Sequence, residues 1–340
     1  MDHQQDLDVS EIPLFENSTS VIEIEYYGEC ACHGYYKTGK RRGLPCDGRG
    51  YYRDRVDHLT YCGVHCPTER RIKLPMRPDR RARQQALVDE DNLQAKLEAE
   101  QRRAQGLHGK AVLYHMKMMK SVPALMGYIK VFPNYLHGSR KDGLGMPSLS
   151  PKAMGPVEHG QLGLPPAQCL ENYHQANKVF PTEVDSAGNP LPSWYETQLR
   201  MYQDPTPHRH KFAGAPNAPL YSIHLDSSGT PRRYDYIGSR QFYCREYLRQ
   251  TQRVGSQTME AFRDMERLRQ LLAEGWNLQI CGYDAYGFPE TGDLARDHLN
   301  AYEDPRSPYG HEKVLHALLT LEPSQYPWVV SKSLSDAERP

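Results

Sequence analysis

Five of the chain's eight cysteines fall between Cys30 and Cys66 and share that interval with two histidines of coordinating character. The spacing is Cys30-x-Cys32-His33, then Cys46, then Cys62-x-x-His65-Cys66. Zinc takes four sulfur or nitrogen ligands in a tetrahedron, and a C-x-x-H knuckle supplies two of them from one turn. Cys32, Cys46, Cys62 and His65 form the preferred set, with Cys30, His33 and Cys66 as alternates for single places or as ligands of a second ion. Glycines sit where tight turns are needed, in Gly43-Leu-Pro-Cys46 and in Cys62-Gly63-Val-His65. A closed, sulfur-rich site leaves no open coordination position, so the expected zinc is structural rather than catalytic. The segment has few aliphatic residues, and metal binding would supply its folding free energy.

The elements around that cluster must be read from charge and pattern. Net charge is +0 over 340 residues, yet it is distributed unevenly. Residues 1–29 carry eight acidic side chains and no Lys or Arg, whereas residues 37–83 carry fourteen basic against five acidic ones, leaving +9. Basic residues such as Lys37, Arg49, Arg53 and Arg55 interleave with Tyr35, Tyr36, Tyr51 and Tyr52. Cations engage phosphates and rings stack on bases, so residues 35–83 are the expected contact for nucleic acid or for a partner protein. The acidic tail is placed to compete for the same basic surface. No apolar run is long enough to span a membrane. The first residues lack the basic and apolar regions of an export signal, so the expected location is intracellular: host cytoplasm or nucleus, or a virion. In a reducing compartment clustered cysteines read as metal ligands rather than disulfides.

Mean hydropathy is −0.76 with 38% hydrophobic residues, which implies solvated stretches beside a real core. The organisation expected is an acidic disordered tail (1–20), a zinc-binding module (21–74), a basic connector with a long charged helix (75–110), an α/β domain (111–330) and a polar tail (331–340). Within the module, residues 21–27 alternate as a strand. The long helix spans about 79–106, with Ala82, Ala86, Leu93, Leu97, Ala104 and Leu107 on one face and Glu98 four residues before Arg102. Further strands are expected at 128–132, 220–225 and 276–281, and helices at 170–180, 193–203, 239–250, 257–273 and 312–321. Residues 134–168 are rich in Gly and Pro, and a long loop of that kind is expected to be functional or disordered. His208-Arg209-His210-Lys211 reads as a solvated loop, and Cys169, Cys244 and Cys281 as buried free thiols.

Two stretches of the larger part hold groups that could work together. Glu171, His174, Gln175 and Lys178 fall at i, i+3, i+4 and i+7 of the expected helix, which aligns carboxylate, imidazole, amide and ammonium on one face. Asp284 follows the carboxyl end of the expected strand at 276–281, where ligands of open α/β sheets collect. The same groups also suit the wet face of an ordinary surface helix and an ordinary turn.

Resemblances extend this reading. Cys32…Gly43-x-x-Cys46…Tyr61-Cys62-Gly63-x-His65 resembles short zinc-binding modules of large DNA viruses and phages, although its Cys32–Cys46 interval is longer. Residues from about 125 to 330 resemble a family of proteins encoded by nucleocytoplasmic large DNA viruses. More remotely, Glu171-x-x-His-Gln-Ala-x-Lys178 and Leu271-Leu272-x-x-Gly275…Asp284-x-Tyr286-Gly287 are similar to the two signature regions of the NADAR family, whose members cleave N-glycosidic bonds, including those to ADP-ribose. The chain departs from that pattern where Pro151 follows Ser150 and where Tyr286-Gly287 stands for Trp-Gly. The resemblance implies catalytic roles for Glu171, Lys178 and Asp284, and contacts from His174, Gln175 and Tyr286 to a nucleotide-like substrate.

Together these observations lead to an α/β or α+β domain carrying a small zinc-stabilised N-terminal module and a long linking helix. The leading expectation is a viral intracellular protein that contacts nucleic acid or a protein through the module. The alternative is an N-glycosidic hydrolase.

Overall fold

A computed structural model describes residues 30–36, 42–62, 64–75, 77–117, 121–208, 219–226, 228–252, 259–288 and 291–331. The expected acidic tail, the strand at 21–27 and the polar tail from 332 onward lie outside the described residues. The chain is mixed α/β and divides into two compact units, Met1–Leu87 and Val88–Pro340.

In the first unit, residues 30–36 run antiparallel to residues 44–50. The Cys32 amide donates to Gly48 O (3.0 Å), the Cys46 amide to Gly34 O (2.7 Å) and the Gly50 amide to Cys30 O (2.7 Å). Three short strands follow: β1 (Tyr52–Asp54), β2 (Thr60–Tyr61) and β3 (Arg71–Lys73), paired antiparallel in the order β2-β1-β3. Asp54 at the end of β1 is buried and accepts from Arg70 Nε (2.8 Å) and from the Val56 amide (2.8 Å). Burial pushes this carboxyl up, but the Val56 amide and the Arg70 guanidinium outweigh it and hold Asp54 below the usual carboxylate range. Little carbon is hidden here. Among the described residues of 30–75, the buried apolar side chains are Cys32, Cys66 and Leu74, while Tyr35, Leu44, Val56, Leu59, Val64 and Ile72 are exposed.

Helix α1 (Pro78–Ala104) matches the expected long helix, and Glu98 and Arg102 approach to 3.9 Å as the spacing requires. Its buried face differs from the one expected. Ala95 and Ala99 are buried whereas Leu93 and Leu97 are half exposed. Small side chains let the helix backbone approach closely: Ala99 O lies against Gly275, which has φ +90°.

The second unit is built on a parallel sheet of β4 (Ala111–His115), β5 (Tyr128–Phe132), β6 (Leu144–Gly145) and β10 (Asn277–Gly282) in the order β4-β10-β5-β6. Every residue of β10 is buried, as a strand flanked by parallel neighbours and covered on both faces must be. A separate antiparallel sheet orders β7 (Lys178–Val179), β8 (Tyr221–Leu225) and β9 (Pro231–Tyr234) in sequence. The remaining helices are α2 (Leu170–Ala176), α3 (Pro192–Gln203), α4 (Tyr236–Gln252), α5 (Met259–Ala273), α6 (Leu294–Glu303), α7 (His311–Thr320) and α8 (Pro327–Val330). Helix α5 buries Ala261, Met265, Leu268 and Leu272 at helical spacing, and these join Leu278, Ile280, Val314, Leu315 and Trp328 in one core.

Two expectations change. The helix at 170–180 stops at Ala176, and Lys178 belongs to β7 because its neighbours pair with β8 (Lys178 opposite Ser222). The 134–168 segment is not disordered: Met146, Leu149, Met154, Val157 and Ala167 are all buried in the main core. Strand β4 and helix α6 were not anticipated.

A buried imidazole chain joins α6, α7 and β4. His316 Nε2 donates to Ala111 O (3.0 Å), so its Nδ1 accepts from His298 Nε2 (2.8 Å), whose Nδ1 accepts from the Tyr309 hydroxyl (2.7 Å). Every donor meets an acceptor only when both rings are neutral. Burial, with His316 nearby, pushes His298 down to about 2, and burial pushes His316 down to about 4. In the unfolded chain both rings titrate near about 6.5, so their stabilisation is complete above that pH and is lost as pH falls toward 4. Urea unfolding between pH 7 and pH 4.5 should show stability falling by about 1.4 kcal/mol per pH unit for each ring. A His298→Gln, His316→Gln double variant should show a shallower fall, and an identical slope would place the acid sensitivity elsewhere.

Candidate metal centre and strand-end residues

The four preferred ligands come from three places in the first unit. Cys32 lies on the first arm of the 30–50 hairpin and Cys46 on the second, brought opposite by the backbone pairing of Cys32 with Gly48 and of Cys46 with Gly34. Cys62 and His65 share a tight turn in which the His65 and Cys66 amides both donate to Cys62 O at 3.2 Å. The Sγ atoms of Cys32, Cys46 and Cys62 and the ring nitrogen of His65 all lie within 4.8 Å of one another. In a tetrahedral zinc site with Zn–S near 2.3 Å, sulfurs stand about 3.8 Å apart. His65 Nδ1 is 3.5 Å from Cys32 Sγ and 3.3 Å from Cys62 Sγ, so this nitrogen is the one presented. The donor set fits zinc and closes the coordination sphere with protein atoms.

Backbone amides point at the sulfurs. The Cys62 amide donates to Cys32 Sγ (3.1 Å), the Gly34 amide to the same sulfur (3.4 Å) and the Gly48 amide to Cys46 Sγ (3.3 Å). Such bonds favour thiolate over thiol. Burial still pushes Cys32 up to about 11, and the neighbouring Cys62 adds to this. Burial also raises Cys62, but the Val64 and His65 amides and its sulfur neighbours outweigh it, and that thiol lies below the ordinary cysteine value. Close packing also demands the absence of side chains: a Cβ on Gly34 would stand 2.4 Å from His65 Cγ, and one on Gly48 would stand 3.1 Å from Cys46 Sγ.

The alternates have other surroundings. His33 Nδ1 faces Thr60 O at 3.0 Å and Thr60 Oγ1 at 3.1 Å. Cys66 is buried, with its thiol raised by burial, and Cys30 is half-buried outside the group of four.

In the second unit, Gln175 connects two of the expected site residues by accepting from Lys178 Nζ (3.3 Å) and donating to Glu171 Oε1 (3.2 Å). His174 turns away from that chain and packs on the Tyr243 ring, 4.9 Å between centroids. Burial, reinforced by Lys178, holds its imidazole well below the ordinary histidine value. Asp284 is exposed two residues beyond β10, and Tyr286 stacks on His115 from the end of β4 at 4.0 Å. Sequence reasoning missed Glu312, which is buried at the start of α7 against Gly282; a Cβ there would stand 1.9 Å from Glu312 Oε1. Its only signal was a carboxylate opening an apolar helix, which is also ordinary helix chemistry. Two cavities are prominent in this unit: one of about 380 Å³ beside α4 and β8, and one of about 320 Å³ between α1 and the amino end of the sheet. Neither is lined by Glu171, Lys178 or Asp284. Cys169, Cys244 and Cys281 are buried free thiols, as expected, and burial raises each of them. His208 pairs with Asp204 at 2.6 Å, while 209–211 fall outside the described residues. No described helix is long and apolar enough to cross a membrane.

Compared with known proteins, the chain matches no family model, no curated protein and no solved structure.

The geometry separates ligands from bystanders. Purified Cys62→Ser protein should lose its zinc in elemental analysis, from about one ion per chain to background. Cys66→Ser should keep the full complement. Equal zinc in both would remove Cys62 from the ligand set.

Proposed function

We propose that Cys32, Cys46, Cys62 and His65 hold a structural zinc ion, and that the module so folded binds nucleic acid through its basic and aromatic surface. The observation that carries this reading is the convergence of three sulfurs and one imidazole nitrogen within 4.8 Å in a segment with almost no apolar core. Zinc binding and folding are then one equilibrium. Not every cation in 35–83 is available to a partner. Arg70 is committed to Asp54 at 2.7 Å, and Arg71 lies over the Tyr52 ring at 5.0 Å while donating to Cys66 O. Arg42 and Arg55 are exposed, as is Tyr35. Exposed cations beside an exposed ring suit a single strand, whose phosphates and bases they meet together. The resemblance to viral zinc modules agrees with this reading.

Binding to a labelled single-stranded oligonucleotide should weaken steeply with salt, log K falling linearly with log salt concentration. An Arg42→Gln, Arg55→Gln double variant should lower that slope by about one to two. An affinity flat from low to moderate salt would refute phosphate contact and favour a protein partner.

A second reading is an N-glycosidase of the NADAR type. Two observations favour it: Asp284 lies just beyond the carboxyl end of a central parallel strand, and Glu171 is joined to Lys178 through Gln175. In that reading Glu171 or Asp284 stabilises an oxocarbenium-like state or activates water, and Lys178 holds a phosphate. Incubation with ADP-ribosylated nucleotides should release ADP-ribose, and Glu171→Ala should reduce turnover at least about 100-fold with folding intact. An unchanged rate would eliminate that role.

A further inference from the structure

The cavity of about 380 Å³ is lined by neither the group of four nor Glu171, Lys178 or Asp284, and all its lining residues belong to the second unit. Its walls include His159, Tyr173 and Phe242, with Glu158, Arg245 and Arg249 among the charged groups. The volume is within the usual range for small-molecule sites. What those walls offer follows from their hydrogen bonds.

His159 spends both ring nitrogens on its own loop. Nε2 donates to Pro165 O (2.8 Å) and Nδ1 accepts from the Gln161 amide (3.0 Å). The Tyr173 hydroxyl is directed to His224 Nδ1 at 3.2 Å, an atom also approached by Asn177 Nδ2 at 3.5 Å. Because an amide nitrogen only donates, His224 Nδ1 is the acceptor and Tyr173 donates inward. Phe242 stacks on the His224 ring at 4.1 Å, nearly coplanar at 5°. His159 and Tyr173 are themselves nearly parallel, at 13° and 5.8 Å. The three rings are therefore held in fixed orientations by partners behind them, and their polar atoms are already used.

The charges divide similarly. Arg249 is occupied: Nε meets Glu246 Oε2 at 3.4 Å, and its terminal nitrogen donates to Glu158 O at 3.0 Å. Arg245 and the Glu158 carboxylate form no ion pair or side-chain hydrogen bond among the described residues, and both are exposed at the cavity. An unspent guanidinium beside ordered ring faces is a receptor for a flat ring that carries an anion, with the carboxylate available to an N–H on the same ligand.

We propose that this cavity binds a planar aromatic anion bearing an N–H donor, its ring against Tyr173, Phe242 and His159 and its anionic group on Arg245. A nucleoside monophosphate and an aromatic carboxylate share this chemistry. The full-length, zinc-loaded protein should be titrated calorimetrically with adenosine monophosphate, indole-3-carboxylate, adenosine and inorganic phosphate. Saturable binding of either of the first two is expected, at least about tenfold tighter than adenosine or phosphate alone. The better of the two identifies the source of the anion. Arg245→Gln should weaken that ligand about tenfold and leave adenosine unchanged, and Phe242→Leu should weaken both ring ligands about fivefold. Failure of both anions to bind, or an Arg245→Gln protein with unchanged affinity, would overturn the assignment. Because Arg245 and Phe242 belong to neither the zinc ligands nor the Glu171–Lys178 chain, neither result bears on the proposed nucleic-acid contact.

Discussion

Three sulfurs held within 4.8 Å of one another and of an imidazole nitrogen repel one another wherever they carry negative charge. The backbone has nonetheless been arranged to favour thiolates, with amides of Gly34, Gly48 and Cys62 directed at sulfur. A dication shared by all four groups would relieve that opposition. Among the described residues of the first unit, the buried interior amounts to a few side chains and the Asp54–Arg70 pair. A segment with so little apolar burial is one in which a metal held by the group of four would contribute directly to folding.

The second unit works the opposite way. Its parallel sheet is covered on both faces, and its core runs from the long irregular segment before α2 through α5 and α7. Some of the polar groups inside it form chains with defined donors and acceptors, such as Tyr309–His298–His316–Ala111. A second network centres on Asn177, whose Oδ1 accepts from Gln198 (2.8 Å) and from the Tyr202 hydroxyl (2.9 Å). Satisfied networks of this kind specify one arrangement, because any other leaves a buried polar group unpaired. They also orient the ring walls of the larger cavity, so that packing in the core determines what the surface can recognise.

The convergence of Cys32, Cys46, Cys62 and His65 into one group that could hold a metal ion was legible from spacing. Coordination chemistry restricts the residue types so strongly that a knuckle and two further thiols leave few alternatives. Long or strongly patterned elements were legible too: α1, α5, β5 and β10 arise from runs whose periodicity or continuous apolarity permits little else. Boundaries set by tertiary contact were not. Helix α2 ends at Ala176 because Lys178 and Val179 pair with β8, a partner over forty residues away in the chain. Likewise, the Gly- and Pro-rich composition of 134–168 spoke for a loop, whereas Met146, Leu149 and Met154 bring it into the core.

By itself, then, the amino-acid order determined which residues can bind a metal, where charge concentrates and which segments must be helix or buried strand. These follow from side-chain chemistry and local periodicity, which act over a few residues. Only the tertiary structure decided that Ala95 and Ala99, not Leu93 and Leu97, form the buried face of α1, that Glu312 lies against Gly282, and that Arg245 lines one cavity with Tyr173, Phe242 and His159. Each depends on surfaces brought together from distant parts of the chain, where the fit between two partners, rather than the character of either one, sets the outcome.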